Sequence, residues 1–242
     1  AVLAPRRPKF YLTRTVYVIA LLILMCTAWL VVAGTQIIRN VGDMARFGAV
    51  LFQILAPLQL AVVAFGAAMV SASAVAQEKD RRTLILLLMT RMSNAELVLG
   101  KLLAGLLNTF VMLVAALPLF MMIPMFGGVS FTQVFHAFLV TAVTVLAAGS
   151  LGSTLALWRE KTFQTLAMTA LSLVAWIGFC EAVQFFGQGR DIAGWSVEAM
   201  VVTFSPMRAI LLTVQPSLAD TGTFSFAAFA LAAAAVLNLW AV

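Results

Sequence analysis

The chain has 242 residues, of which 63% are hydrophobic and only 10% charged, with a mean hydropathy of +1.07. A soluble domain of this length needs a far more polar surface, so the composition excludes one and defines a polytopic helical membrane protein. Long continuous apolar runs, in place of alternating segments of about ten residues, exclude a porin-like barrel. The net charge of +6 is read as a bias of Lys and Arg to the cytoplasmic side, not as a nucleic-acid site.

The chain begins at Ala1 and ends at Val242 within an apolar run, as expected of part of a longer polypeptide whose membrane domain fills residues 1–242. No cleavable signal peptide is expected, because the first apolar stretch is long and further spans follow it. Residues 1–14, with Arg6, Arg7, Lys9 and Arg14, form a basic N-terminal segment. About 20 apolar residues cross a bilayer as a helix, and six segments qualify: Thr15–Ala33, Phe47–Ala76, Leu97–Phe126, Val134–Trp158, Phe163–Phe186 and Phe224–Val242. The second and third are long enough to tilt or to project beyond the lipid. Pro57 is expected to kink the second, and Pro118 and Pro124 the third. Cys26 and Cys180 lie inside apolar runs and read as small hydrophobes, not as a disulfide.

Orientation follows from the basic residues. Eleven Lys and Arg fall on the N-terminus (Arg6, Arg7, Lys9, Arg14), the stretch between spans two and three (Lys79, Arg81, Arg82, Arg91, Lys101) and the turn after span four (Arg159, Lys161); four (Arg39, Arg46, Arg190, Arg208) fall opposite. The N-terminus is therefore expected to be cytoplasmic. Residues 187–223 form an outer-face segment with two apolar pieces too short to span, Val197–Phe204 and Met207–Val214. Ser205-Pro206 has the form of an N-cap followed by proline at the first helical position. Packing faces are also legible. Ala64, Ala68, Ala72 and Ala76 repeat every four residues, and Ala148, Gly149, Gly152 and Ser153 form a similar small face on span four. Such spacing lets backbones approach closely in lipid.

Residues 77–96 form the cytoplasmic segment that carries most information. Between Ala76 and Lys101 lie five of the fifteen Lys and Arg and three of the nine Asp and Glu, around an apolar block Leu84–Met89. Ser93-Asn94-Ala95-Glu96 matches a capping box, which starts the next helix and leaves Glu78 to about Thr90 as a separate short helix. That helix is apolar on all sides and should be buried on all sides. It either rests on headgroups as an interfacial helix or docks a cytoplasmic partner through a charge-ringed apolar core. The residues alone leave both open.

The stretch resembles the coupling segment of ABC transporter permeases of the type-2 exporter family. There a Glu-x-x-x-Gly-Thr-Leu-x-x-Leu-Leu pattern, then Pro-Leu-Ser, then Glu-x-x-x-Gly-Lys joins spans two and three. Glu78, Thr83, Leu84, Leu87, Leu88, Ser93, Glu96, Gly100 and Lys101 fall on matching positions, while Arg82 stands for the usual Gly and Arg91 for the usual Pro. The resemblance implies a coupling helix bearing Glu78, Arg82, Thr83, Leu84, Leu87, Leu88 and Arg91, assisted by the turn at Arg159, that docks an ABC ATP-binding subunit. It also implies pairing with a second permease copy or homologue, ATP and Mg held by the partner and no cofactor in this chain, export as the direction, and the inner, cytoplasmic membrane as the location.

Catalytic patterns are missing from the sequence. Gly100-Lys101 lacks the rest of a P-loop, a single His136 excludes di-histidine metal sites, and Gly-x-Ser-x-Gly does not occur. An enzyme is not expected. Polar residues at membrane depth are functional candidates. Gln53, Gln59 and Asn108 could line a path or bond between helices, and Glu181 could face a vestibule or reach the headgroups. His136 is expected at the interface. The leading reading is a transport subunit; its rival is a non-transporting membrane scaffold that recruits a cytoplasmic complex by the same helix.

Overall fold

A computed structural model describes residues 8–35, 40–80, 94–158, 161–187, 191–192, 195–214 and 219–241. Among them are eight helices: α1 (Pro8–Thr35), α2 (Val41–Asp80), α3 (Asn94–Phe126), α4 (Phe131–Trp158), α5 (Thr162–Gly187), α6 (Val197–Phe204), α7 (Pro206–Leu212) and α8 (Ala219–Ala241). Six of them, α1 to α5 and α8, are long and apolar enough to cross a membrane. The all-α, six-span class read from composition is thus what the chain adopts. A two-residue antiparallel pair, β1 (Asp191–Ile192) with β2 (Trp195–Ser196), precedes α6.

The helices overrun the apolar segments at their polar ends. At about 1.5 Å per residue the 40 residues of α2 extend roughly 60 Å, twice a hydrocarbon core of about 30 Å. Its first turn carries Asp43, which suits the positive end of the helix dipole, and Arg46, just before the expected start of the second span, lies inside the helix. The other end runs through Glu78 to Asp80, so these residues continue α2 and do not open a separate helix. Pro57, Pro118 and Pro124 sit within continuous helices.

Packing is centred on α4, with α2 as its principal neighbour. The expected small-residue faces meet there. Ala64, Ala68, Ala72 and Ala76 are buried, as are Ala148, Gly149, Gly152 and Ser153. A methyl group at Gly152 would come within 2.5 Å of the Ala68 carbonyl oxygen, so the two backbones are in van der Waals contact. Thr141 and Thr144 return their hydroxyls to carbonyls one turn back on α4, which satisfies them without a partner helix, while Thr154 shares its hydroxyl between the Ser150 carbonyl and the Leu237 carbonyl of α8. By contrast α1 buries only Tyr17 and Leu21 among its described side chains, and α5 leaves Phe163, Leu171, Val174, Phe179, Phe185 and Phe186 exposed. Lipid is the natural cover for such faces. The turn between α3 and α4 uses Gly127 and Gly128 at φ 91° and 77°, against Ala45 of α2.

The short helices fold back onto the bundle. Val197–Phe204 is helical over the span expected from its apolar pattern. Ser205, in extended conformation, caps α7 by accepting the Arg208 N–H, with Pro206 at the first helical position. α7 then buries Ala209 and Ile210 in the same core as Phe52 and Leu55, so it dips into the bundle.

Candidate functional site

Two regions concentrate the polar geometry, one at each end of the bundle. At the end assigned to the cytoplasm by the charge count, α2 and α4 terminate side by side. Val75 and Ala76 pack with Ala156 and Leu157. Lys79 Nζ donates to the Leu157 carbonyl at 2.8 Å. That carbonyl belongs to the last turn of α4, whose oxygens have no intrahelical partner and carry the negative end of the dipole, so an ammonium suits it. α8 closes the same end: Asn238 Nδ2 donates to Ser150 Oγ at 2.9 Å, and Trp158 meets Trp240 edge-on at 4.6 Å.

The structure thus joins, through Lys79, the helix that enters the predicted coupling segment and the helix that enters the turn at Arg159. Arg82, Thr83, Leu84, Leu87, Leu88 and Arg91 of that segment, the cap residue Ser93, and Arg159 lie outside the described residues. Glu78 is placed by its backbone in the last turn of α2.

At the opposite end, side chains tie α6 and α7 to the spans. Arg208 Nε donates to Glu181 Oε1 at 2.9 Å and Nη2 donates to Oε2, a two-pronged ion pair between α7 and α5. Hydrogen bonding to Glu181 raises the Arg208 pKa above its ordinary value, so the guanidinium stays charged. Trp176 Nε1 donates to the Phe204 carbonyl at 3.1 Å, and Cys180 packs with Val197 and Val201. From α4, Gln133 Nε2 donates to the Val214 carbonyl at 2.9 Å. The same Gln133 is half of a reciprocal cap: its Oε1 accepts the Ser130 N–H at 2.8 Å, and Ser130 Oγ accepts the Gln133 N–H at 3.2 Å.

The four candidate path residues are not brought together. Glu181 is held by Arg208. Asn108 Oδ1 accepts from Arg14 Nε and Nη2 at 3.3 and 2.9 Å, joining α3 to α1. Gln53 is exposed on α2. Gln59, near the middle of α2, is 2% exposed, and neither its amide oxygen nor its nitrogen has a hydrogen-bond partner among the described residues. His136 is half-buried and edge-on to Phe224 at 6.2 Å.

The sequence reading missed the Gln133 cap, although Ser130-Phe131-Thr132-Gln133 carries the capping-box signature directly before an apolar run. It also passed over Asn238 and Trp176. No group of three or more His, Cys, Asp or Glu that could hold a metal occurs among the described residues. The contacts described in both regions are positioning contacts between helices.

With this architecture in view, the comparisons place the chain. The family model described as ABC-2 family transporter protein matches residues 35–242, covering five of the six spans and both regions above. The chain belongs to the ABC-2 transporter family, as a multi-pass membrane permease component. Comparison with curated proteins and with solved structures returned no match.

Proposed function

We propose that the chain is the membrane-spanning subunit of an ATP-driven exporter of the cytoplasmic membrane, worked by a separate ATP-binding subunit and paired with a second permease copy or homologue. ATP and Mg are assigned to the partner, and no cofactor to this chain. The observation that supports this most is the Lys79–Leu157 bond. It unites the flanks of the two expected docking elements on one rigid platform, so a partner engaging both would pull on α2 and α4 together.

The test uses the permease and its ATP-binding subunit in vesicles. Leu87→Ala with Leu88→Ala should weaken docking about five- to 150-fold, the range for truncated interface anchors of about 1–3 kcal/mol, and abolish ATP-dependent flux across a panel of fluorescent lipids, drugs, peptides and ions. Flux that survives the double substitution would remove the coupling role from this helix. An intact, ATP-hydrolysing complex that moves none of the panel would favour the scaffold.

A further inference from the structure

At the end of the bundle opposite Lys79, a groove of about 450 Å³ lies between α1 and the first turns of α2. Met25, Cys26 and Trp29 of α1, Phe47 and Leu51 of α2 and Phe126 of α3 line it. Three of these are aromatic and interlock: Trp29 meets Phe47 edge-on at 4.8 Å, and Phe47 meets Phe126 at 5.6 Å. The volume is within the roughly 300–1,000 Å³ of small-molecule sites. The lining is wholly apolar, so the groove suits a hydrocarbon occupant.

Beside the groove stands a charge. Arg46 immediately precedes Phe47, is exposed, and has no hydrogen bond or ion pair among the described residues. It tops the exposed apolar stripe Val50, Ile54 and Leu58 and lies in the second turn of α2. Asp43, one turn nearer the helix start, already accepts the Asn40 N–H at 3.2 Å and serves the helix end. A guanidinium without a partner among the described residues, one residue from the groove-lining Phe47, is complementary to a molecule with a phosphate and an acyl chain.

We infer that the groove between α1 and α2 is a phospholipid site, with one acyl chain against Trp29, Phe47 and Leu51 and the phosphate at Arg46. Such a lipid would complete the thin contact of α1 with the bundle. The inference stands apart from the transport reading, since it needs no partner subunit and no flux.

Cys26 supplies the readout, because its thiol is exposed in the groove while Cys180 is buried. Delipidated protein carrying Cys180→Ala is titrated with phosphatidylglycerol, and the rate of Cys26 labelling by an apolar maleimide is followed. Labelling should slow severalfold at saturation. Arg46→Gln should raise the half-protecting concentration about fivefold, as expected for one basic residue at an anionic headgroup, and Arg46→Lys should largely restore it. Diacylglycerol of the same chains should protect weakly and equally in both forms. Met25→Trp, which fills the groove from the half-packed α1 face, should remove the lipid dependence. Absence of protection by phosphatidylglycerol, or protection unaltered in Arg46→Gln, overturns the site. Protection that instead follows protein concentration without lipid would assign the groove to a second copy of the chain and likewise overturn it.

Discussion

Gln59 offers the sharpest test of the packing described here. Its side chain is 2% exposed at the middle of α2, and both polar atoms lack partners among the described residues. Removing an amide from water without replacing its hydrogen bonds is penalised by about 1–3 kcal/mol by the evidence of protein mutations. Gln59→Met keeps the length and approximate volume while deleting both polar atoms, so it should stabilise the folded protein by about that amount. For a chain of this size 1 kcal/mol corresponds to roughly 2–4 °C, so the midpoint should rise by about 2–12 °C. Thermal unfolding in mild detergent, followed by tryptophan fluorescence, reads this directly. A midpoint that is unchanged or lower would refute the reasoning, because it would mean that the amide is satisfied in the folded bundle. The substitution also separates two roles. If the proposed transport cycle parts α2 from its neighbours and wets Gln59, the stabilised variant should turn over more slowly. A residue that only packs should gain stability and keep its rate.

Two other expectations follow from contacts and one from the distribution of charge. Ala68→Leu places a branched side chain where Ala68 is fully buried and its carbonyl lies against Gly152; overpacking of this kind costs about 1–3 kcal/mol or more, and a normal yield of monodisperse protein in mild detergent would show that the helices can separate there. Lys79→Met removes the bond to Leu157 and should destabilise by about 1 kcal/mol, since a charged hydrogen bond at a half-exposed helix end is partly replaced by water; an unaltered thermal midpoint would show that the link is dispensable. Cysteines at Asn94 and Gly189 should label from opposite sides of the membrane, and labelling of both from one side would contradict the charge-based orientation.

Local signals carried much of the fold. The six apolar runs, the short helix Val197–Phe204 and the Ser205 cap all depend on residues close in sequence, where hydropathy and capping chemistry act. The alanine stripe was readable because close helix packing in lipid demands small residues at fixed spacing. Helix ends were less legible. Hydropathy stops where polar side chains begin, yet Asp43 and Lys79 extend α2 at both ends because they suit its dipole. Pairings between distant residues were not legible at all. Glu181 and Arg208 are 27 positions apart, and Arg14 and Asn108 are 94 apart. Nothing in their local sequence announces a partner, because the pairing exists only once α7 turns back on α5 or α1 leans on α3. Counting Arg14 and Arg208 as topology signals was compatible with this, but it concealed their second use as ties between helices.

Those ties explain how a bundle with loosely packed edges could move as a few bodies. α2 and α4 are locked by backbone contact at Ala68 and Gly152 and joined at one end by Lys79. At the other end Gln133 of α4 holds the chain after α7, and Ile210 of α7 is buried in the shared core. A force applied beside Lys79 would therefore reach α7 through apolar packing that deforms little. The connection of α7 to α5 is of another kind. It rests on Glu181 and Arg208, each about one-third exposed, and an ion pair open to solvent contributes only about 0.2–1 kcal/mol. Under the proposed coupling, α2, α4 and α7 would move as one unit; α5 also packs on α2 and α4 through Leu173 against Ala64, Ala68 and Ala148, so the solvent-open ion pair is the part of its attachment that gives most readily. Glu181→Gln should then leave the thermal midpoint within about 2–4 °C of the parent, as a loss of at most about 1 kcal/mol requires, yet raise the accessibility of a cysteine at Val201, now buried against Cys180. Accessibility that stays at the parent level would place the flexible joint elsewhere in the bundle.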